Sequence, residues 1–358
     1  MQDIFKFALI IDAEKAMRTT IAEDRLNGLI LASSRIVIFG HENPDGDSIG
    51  SAVGMYHYLA GKGKHPHIVI NSRLPEYFNF IIPAGSISYY NEDKAQCDEC
   101  INSADLLIFL DMNGTGRTGD VSAAVEAVMK GENRPQCVLI DHHLNPQTAL
   151  FDVVISDTEV SSACELLYHV LLKQPGVEGD VCNLPKECAE ALLTGILTDT
   201  NNFANSVYPS TYLAVSQLQA RGVDRDIIYN EVFRSYSEQR MRLMGHLLQD
   251  NMCCLVQGVA YFVLTIADKK KYGFVRGDSE GFVNLPLSIK GIRMTAFFTE
   301  EQGFIKVSLR SKGNVDVNDF SHKYCNGGGH KNASGGRLYI PVGDVPAYFE
   351  SKVEEFFK

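Results

Sequence analysis

The sequence predicts an α/β fold: a parallel-sheet domain with flanking helices, followed by a smaller α+β domain. Three observations point there. Short apolar runs alternate with helical patterns through roughly the first 220 residues. Several of those runs end in Asp or His. After residue 250 the texture becomes that of hairpins.

Taken in order, residues 13–33 carry Ala16, Ile21, Leu26, Leu29 and Ile30 at helical spacing, which predicts a leading amphipathic helix. Strands are expected at 35–40, 67–71, 104–110 and 137–141, and helices at 47–62, 161–174, 186–198 and 210–221. Short apolar strands between helices imply a parallel sheet covered on both faces. The polar, helix-prone stretch 224–250 is expected to connect two domains, 1–223 and 251–358. In the second, strands are expected at 259–266, 292–299 and 304–309, the last two joined by Glu300-Glu301-Gln302-Gly303, and a helix at 344–357. No repeat or low-complexity segment interrupts the pattern.

At 358 residues, 45% apolar and 22% charged, the chain has the composition of a globular protein with a sizeable core. Its apolar runs, such as 7–11 and 106–110, are far too short to span a membrane. Asp3 and Asp12 stand where a signal peptide would carry basic and then apolar residues, so no leader is expected. Nine scattered cysteines fit a reducing cytoplasm. A net charge of −11 argues against general binding of duplex DNA. It leaves phosphate substrates open, because bound cations reverse the local sign.

The richest stretch is His41-Glu42-Asn43-Pro44-Asp45-Gly46-Asp47, directly after the first predicted strand. Asp111 ends the third strand, Asp141-His142-His143 the fourth, and Asp199 follows the apolar segment 192–198. One such Asp is as readily a helix N-cap. Four such ends together favour a site, since open α/β sheets bind ligands beyond the carboxyl ends of their strands. Two carboxylates ~4 Å apart repel by roughly 4 kcal/mol at an effective dielectric near 20. A divalent cation removes that cost. His and carboxylate donors without Cys favour Mn²⁺, Mg²⁺, Fe²⁺ or Zn²⁺, and two His favour Mn²⁺. The donors are too many for one ion, so two cations sharing a carboxylate are expected. Gly46 is expected to let the backbone bend between Asp45 and Asp47.

H-x-x-x-D-x-D, a strand-end Asp, Asp-His-His and Thr198-Asp199-Thr200, in this order, resemble the DHH phosphoesterase superfamily. Its relatives include RecJ-type exonucleases and family II inorganic pyrophosphatases. Asn326-Gly327-Gly328-Gly329-His330-Lys331-Asn332-Ala333-Ser334-Gly335 resembles the G-G-G-H-x-x-A-S-G motif of DHHA1 domains, and Val307-Ser308-Leu309-Arg310-Ser311 also fits. The resemblance covers nearly the whole chain, and is strongest to the stand-alone bacterial nanoRNase/pAp phosphatase group. It implies that His41, Asp45 and Asp111 hold one ion, and that Asp47, Asp111, His142 and Asp199 hold the other, with Asp111 bridging. It implies that His143 faces the substrate and that Asp141 orients a histidine. Gly327, Gly328 and Gly329 would offer backbone N–H groups to a phosphate, with Arg310, Ser311 and His330 as further contacts.

The implied substrates are short oligoribonucleotides, or pAp losing its 3′-phosphate. Cyclic or linear dinucleotides such as c-di-AMP and pApA are the alternative. Pyrophosphate fits the glycine-rich motif less well, and a non-catalytic nucleotide sensor would have lost ligands that are all present here. A homodimer is compatible with the chain. One departure stands out. Asn201-Asn202-Phe203-Ala204-Asn205 lacks the Gly and basic residue that relatives often carry after T-D-T.

Other motifs carry less. Gly114-Thr115-Gly116-Arg117-Thr118-Gly119 matches a dinucleotide fingerprint, but its glycines begin too late after the strand and Asp141 already belongs to the triplet. It reads better as a Gly-rich loop carrying Arg117 toward the site as a phosphate contact. Asp45-Gly46-Asp47 fails as a calcium loop because Tyr56 stands at the position of the bidentate Glu. Cys97 and Cys100 lack a second pair for a zinc site. Ser161 and Ser162 are expected to cap the following helix or to touch the water network of the metal site, and Glu165 either supports a ligand histidine or is exposed. Phe203, Phe282 and Tyr324 read as core residues with some capacity to stack on a base.

Overall fold

A computed structural model describes residues 21–275 and 277–358. The start of the expected leading helix and the 7–11 run lie outside the described residues. The contacts divide the chain into two units between Arg234 and Ser235. That division falls inside the stretch 224–250, whose first helix goes with the first unit and whose second goes with the second.

The first unit holds helix α1 (21–32), β1 (Arg35–Phe39), α2 (Gly46–Gly61), β2 (His65–Ile70), β3 (Ile87–Tyr89), α3 (Lys94–Ser103), β4 (Leu106–Leu110), α4 (Ser122–Met129), β5 (Gln136–Asp141), β6 (Val153–Ser156), α5 (Ala163–Leu172), α6 (Lys186–Asp199), α7 (Pro209–Ala220) and α8 (Arg225–Phe233). Its six strands pair in the order β3-β2-β1-β4-β5-β6, all parallel. Period-two alternation sorts the continuous apolar runs onto two faces. Ile36, Ile38, Ile108 and Ile140 meet Ile49, Leu167 and Leu192 from α2, α5 and α6. Val37, Phe39, Phe109 and Leu139 meet Ile101 and Val125 from α3 and α4. The sequence pattern missed β3 and β6 because they are short edge strands. It missed α3 because only Cys97 and Ile101 are buried along it.

Gly46, Gly50 and Gly54 place a strip of hydrogens along α2 where α6 approaches. A Cβ on Gly46 would lie 2.1 Å from Thr198 Oγ1, one on Gly50 2.6 Å from the Ala191 carbonyl, and one on Gly54 2.8 Å from Leu192 Cδ2. Gly46 is not in the left-handed region. Its role is therefore close helix contact, and not the backbone bend expected from sequence.

The second unit contains α9 (Glu238–His246), a π turn (Leu247–Asn251), β7 (Cys253–Leu255), β8 (Val259–Leu264), α10 (Ile266–Lys271), β9 (Met294–Glu301), β10 (Phe304–Ser311), α11 (Val317–Tyr324), β11 (Gly328–His330), β12 (Ala333–Leu338) and α12 (Val345–Phe356). The sheet order is β11-β12-β10-β9-β8-β7, antiparallel except for β8 against β9. Tyr261, Phe298, Phe320 and Phe349 form its aromatic core. Arg240 of α9 is buried, donates to the carbonyls of Gly277, Asp278 and Glu280, and lies against the Tyr236 and Phe282 rings. No helix among the described residues is long and apolar enough to cross a membrane. All nine cysteines are unpaired.

Candidate metal centre

The carboxyl ends of β1, β4 and β5 lie side by side, because these strands are neighbours in parallel register. His41 and Asp45 follow β1, Asp111 follows β4, and Asp141 ends β5 with His142 and His143 behind it. α2 begins beside them and presents Asp47 in its first turn. α6, pressed against α2, brings its last residue, Asp199.

Asp111 sits at the centre, buried, in the left-handed region with φ 58°. That conformation is uncommon for a residue other than glycine and is typical of functional sites. Its amide donates to the Ile140 carbonyl at 3.2 Å. Its two oxygens face opposite ways. Oδ2 lies 3.4 Å from His41 Nε2, and Oδ1 lies 3.4 Å from His142 Nε2. Asp45 Oδ1 lies 3.7 Å from His41 Nε2. Around His142 Nε2 stand Asp47 Oδ2 at 3.7 Å and Asp199 Oδ2 at 4.0 Å. His41, Asp45 and Asp111 offer ligand atoms within 4.8 Å of one another, as do Asp47, Asp111 and His142. The two sets share Asp111.

The supports differ. Asp45 is the N-cap of α2, its Oδ1 accepting from the amides of Asp47 and Ser48. Asp47 has both oxygens on the N-terminus of α5, accepting from Ala163 at 2.6 Å and Cys164 at 2.8 Å. Helix N-termini favour anions, so the hydrogen bonds that hold this carboxylate come from backbone amides. Asp199 lies at the opposite kind of end, where a helix C-terminus disfavours negative charge and favours a cation. The Ser48 hydroxyl accepts from the His41 amide at 3.0 Å.

Electrostatics follow from this crowding. Burial lowers the pKa of His41, but its bonds to Asp111 and Asp45 overcome that and raise it to about 9. His142 is raised to about 10, against burial, by Asp111, Asp47 and Asp199. Burial and the charges of Asp111 and Asp199 push Asp47 well above the ordinary carboxylate range. Asp111 is held well below it, burial notwithstanding, by His142 and His41. The surplus of acidic oxygens therefore draws protons onto both imidazoles. A divalent cation held by these residues would displace such protons and neutralise the same oxygens. Asp141 Oδ2, buried and without a hydrogen-bond partner, adds another acceptor to this surplus. The donor set thus fits divalent cations.

His143 is in neither of these two sets, although its Nδ1 lies 3.6 Å from Asp111 Oδ1. Its Nδ1 bonds Asp141 Oδ1 at 2.7 Å, and its Nε2 lies 3.0 Å from Arg117 Nη1. An arginine only donates, so Nε2 accepts and Nδ1 carries the proton. The histidine that Asp141 orients is His143. Arg117 is carried by a 3₁₀ turn over Thr115–Val121, and the dinucleotide reading of those glycines finds no helix at the strand end.

In the second unit, Arg310 and Ser311 end β10, and the glycine-rich motif forms the β11–β12 hairpin. The Gly327 amide donates to the Ser321 carbonyl and the Gly329 amide to Asn318 Oδ1 at 2.8 Å. Those two N–H groups are used within the fold, so they are not the free phosphate donors expected from sequence. A Cβ on Gly327 would lie 1.9 Å from the Gly335 carbonyl, which makes close backbone packing the need these glycines meet. Ser311 is buried, its hydroxyl donating to the Val315 carbonyl and accepting from Asn332. Arg310 Nη1 donates to the Leu309 carbonyl. His330 ends β11.

Ser162 caps α5, and Glu165 is buried rather than exposed. Phe282 is core, Tyr324 packs on Phe320, and Phe203 stacks on the exposed ring of Tyr212. The hold of α5 on Asp47 was not foreseen, because backbone amides leave no mark in a sequence. The α2 strip left one, Gly-x-x-x-Gly-x-x-x-Gly.

Comparisons with known proteins agree with this geometry. Residues 35–196 match the DHH family, N-terminal domain, and residues 257–358 match the DHHA1 domain. The bifunctional oligoribonuclease and PAP phosphatase NrnA of Thermus thermophilus is 30% identical over 310 residues, 85% of this chain and 84% of that protein. The cyclic-di-AMP phosphodiesterase GdpP of Bacillus subtilis is 26% identical over 358 residues, 96% of this chain but 51% of that protein. A crystal structure of an exopolyphosphatase-related protein from Bacteroides fragilis superposes with a TM-score of 0.86 at 34% identity, covering 94% of this chain and 97% of that one.

Proposed function

The chain belongs to the DHH family of phosphoesterases, with a DHHA1 domain after its DHH domain, and from that premise we propose that it hydrolyses short oligoribonucleotides to mononucleotides and pAp to AMP. The carrying observation is Asp111, whose Oδ2 faces His41 and whose Oδ1 faces His142, so that it belongs to both donor sets. We assign His41, Asp45 and Asp111 to one cation and Asp47, Asp111, His142 and Asp199 to a second. Mn²⁺ suits the mixed His and carboxylate donors, and Mg²⁺ is the alternative. Such ions, when bound, activate water at neutral pH and neutralise charge on the phosphoryl oxygens.

The chain's own residues supply the rest. Asp141 fixes the tautomer of His143, so that Nε2 points outward as an acceptor. A substrate phosphate that draws Arg117 away from that nitrogen leaves it free to take up a proton and pass it to the leaving oxygen. The Arg117 guanidinium has the planar fork that suits two phosphate oxygens. Arg310 and His330 are assigned to the remainder of the substrate. Nine unpaired cysteines fit a cytoplasmic location.

Similarity to the GdpP phosphodiesterase supports a second reading, in which the substrate is c-di-AMP or pApA. Profiling decides between them. The full chain with Mn²⁺ is given pAp, 2–5-mer RNA, matching DNA, c-di-AMP, pApA and pyrophosphate, and kcat/KM is measured for each. The proposal expects pAp and the shortest RNAs to lead. A lead for c-di-AMP would install the second reading, and a lead for pyrophosphate would overturn both.

A further inference from the structure

Glu165 is a fully buried carboxylate that belongs to neither donor set. Its Oε2 accepts from the Ser161 amide at 2.9 Å, from the Ser161 hydroxyl, and from the Thr211 hydroxyl at 2.7 Å. Its Oε1 faces His169 Nε2 at 3.5 Å. Burial would raise its pKa, but the bonds from His169, Ser161, Ser210 and Thr211 bring it down to about 2. It is a buried charge held by donors from two separate elements.

Each element leads to a candidate ligand. Ser161 directly precedes Ser162, the cap of α5, and the next two amides of that helix hold both oxygens of Asp47. Thr211 lies in the first turn of α7, and its hydroxyl also accepts from the Tyr208 amide at 3.1 Å. That bond closes the segment running from Asp199 at the end of α6 to the start of α7. A capping glutamate ordinarily reaches back to its own helix start. This one reaches a residue further back, and also across to α7. A local cap has no need to bury a charge, which is costly without compensating bonds.

We propose that Glu165 is a positioning residue that ties the start of α5 to the start of α7, so that Asp47 and Asp199 are presented to one cation. It acts through backbone and hydroxyl groups and touches no ligand side chain. The inference rests on the assignment of a cation to Asp47 and Asp199.

The test is Mn²⁺ affinity of the full chain, measured by calorimetric titration with the EPR signal of free Mn²⁺ as a second readout. Glu165→Gln keeps the shape and an oxygen for Ser161 and Thr211, places its amide nitrogen where Oε1 faced His169, and removes the charge that strengthens these bonds. It is expected to weaken Mn²⁺ binding by about 10–100-fold, the range typical of lost outer-sphere support. Tyr168→Phe is the control, because it removes only the Tyr168–Gln217 bond between the same two helices. It is expected to lower the unfolding temperature and leave Mn²⁺ affinity unchanged. Should Glu165→Gln fail to fold, Thr211→Val removes one donor, keeps the carboxylate, and is expected to weaken Mn²⁺ in the same direction. Wild-type affinity in the folded Glu165 or Thr211 variant overturns the inference. So does a Tyr168→Phe chain that loses as much affinity for an equal fall in unfolding temperature. A wild-type chain that takes up no Mn²⁺ overturns the cation assignment itself, and the inference with it.

Discussion

Replacing Gly46 with alanine should disturb stability and metal binding together. The new Cβ would lie 2.1 Å from Thr198 Oγ1, 2.5 Å from its Cγ2 and 2.6 Å from its Cβ, where ordinary contact begins at 3.4 Å. The two helices must therefore part by about 1 Å at this point, an overpacking that costs about 1–3 kcal/mol. In a unit of this size each kcal/mol lowers the unfolding temperature by roughly 2–4 °C. Asp47 is the residue after Gly46, and Asp199 the residue after Thr198. The same movement therefore separates two oxygens assigned to one cation, where distances hold within about 0.2 Å. Mn²⁺ affinity is expected to fall by about tenfold or more, as for other lost supports of a metal site. Calorimetric unfolding without metal and Mn²⁺ titration measure the two effects separately. Adding Thr198→Gly removes the three atoms nearest the new methyl. It should restore affinity, while a glycine in α6 leaves stability about 1 kcal/mol lower. A Gly46→Ala chain that unfolds at the wild-type temperature and binds Mn²⁺ as well as wild type would refute the close contact.

Asp111→Asn should abolish Mn²⁺ uptake at both sets and hydrolysis with it; an active variant would remove the bridge. His143→Gln should lower kcat by about 10²–10⁴, the range for a lost general acid, while Mn²⁺ titration stays near wild type; equal loss of both would place His143 among the ligands. Glu165 is held below its ordinary value, so it stabilises the fold at neutral pH, and this contribution is lost as pH falls from 4.5 toward 2. The stability gap between wild type and Glu165→Gln should narrow by on the order of 2 kcal/mol across that range in denaturant titrations, and a gap that stays constant with pH would contradict the bonding around Glu165. Arg240→Met leaves three backbone carbonyls without their donor and should destabilise the second unit by about 3 kcal/mol, read by hydrogen exchange in β8 and β9; unchanged protection there would show the clamp to be dispensable.

The candidate metal centre was more legible in the sequence than its surroundings, for a physical reason. Imidazoles and carboxylates placed where strands end are natural cation donors, so His41, Asp45, Asp111 and His142 stand out as candidate ligands by type and place. Support can come from groups that every residue has. The amides of Ala163 and Cys164 hold Asp47, yet nothing in Ala-Cys announces it. Glu165 was ambiguous because one glutamate three residues into a helix serves a cap or a buried brace equally well. Gly46 was singled out correctly but for the wrong cause, since its partner Thr198 lies 152 positions away and only the folded chain brings them together. Strands β1, β4 and β5 were readable because both of their faces are buried. The short edges β3 and β6 bury too little to show a pattern. The β11–β12 hairpin was hidden by its own glycines, which carry no apolar alternation.

The strip of glycines along α2 also bears on when the centre can form during synthesis. The three glycines of that strip leave α2 about 2–3 kcal/mol short of an alanine-rich helix. It gains its stability by docking, and the helix it docks against is made last among the ligand-bearing elements. At roughly 5–20 residues per second, α6 leaves the ribosome some 8–30 s after β1. Through that interval His41, Asp45, Asp47, Asp111 and His142 exist as a nascent chain without Asp199 and without the helix that fixes their spacing. We expect metal capture to wait until the first unit is complete, so a chain truncated before α6 should gather no ion in a Mn²⁺ titration, although it contains most of the residues assigned to hold one.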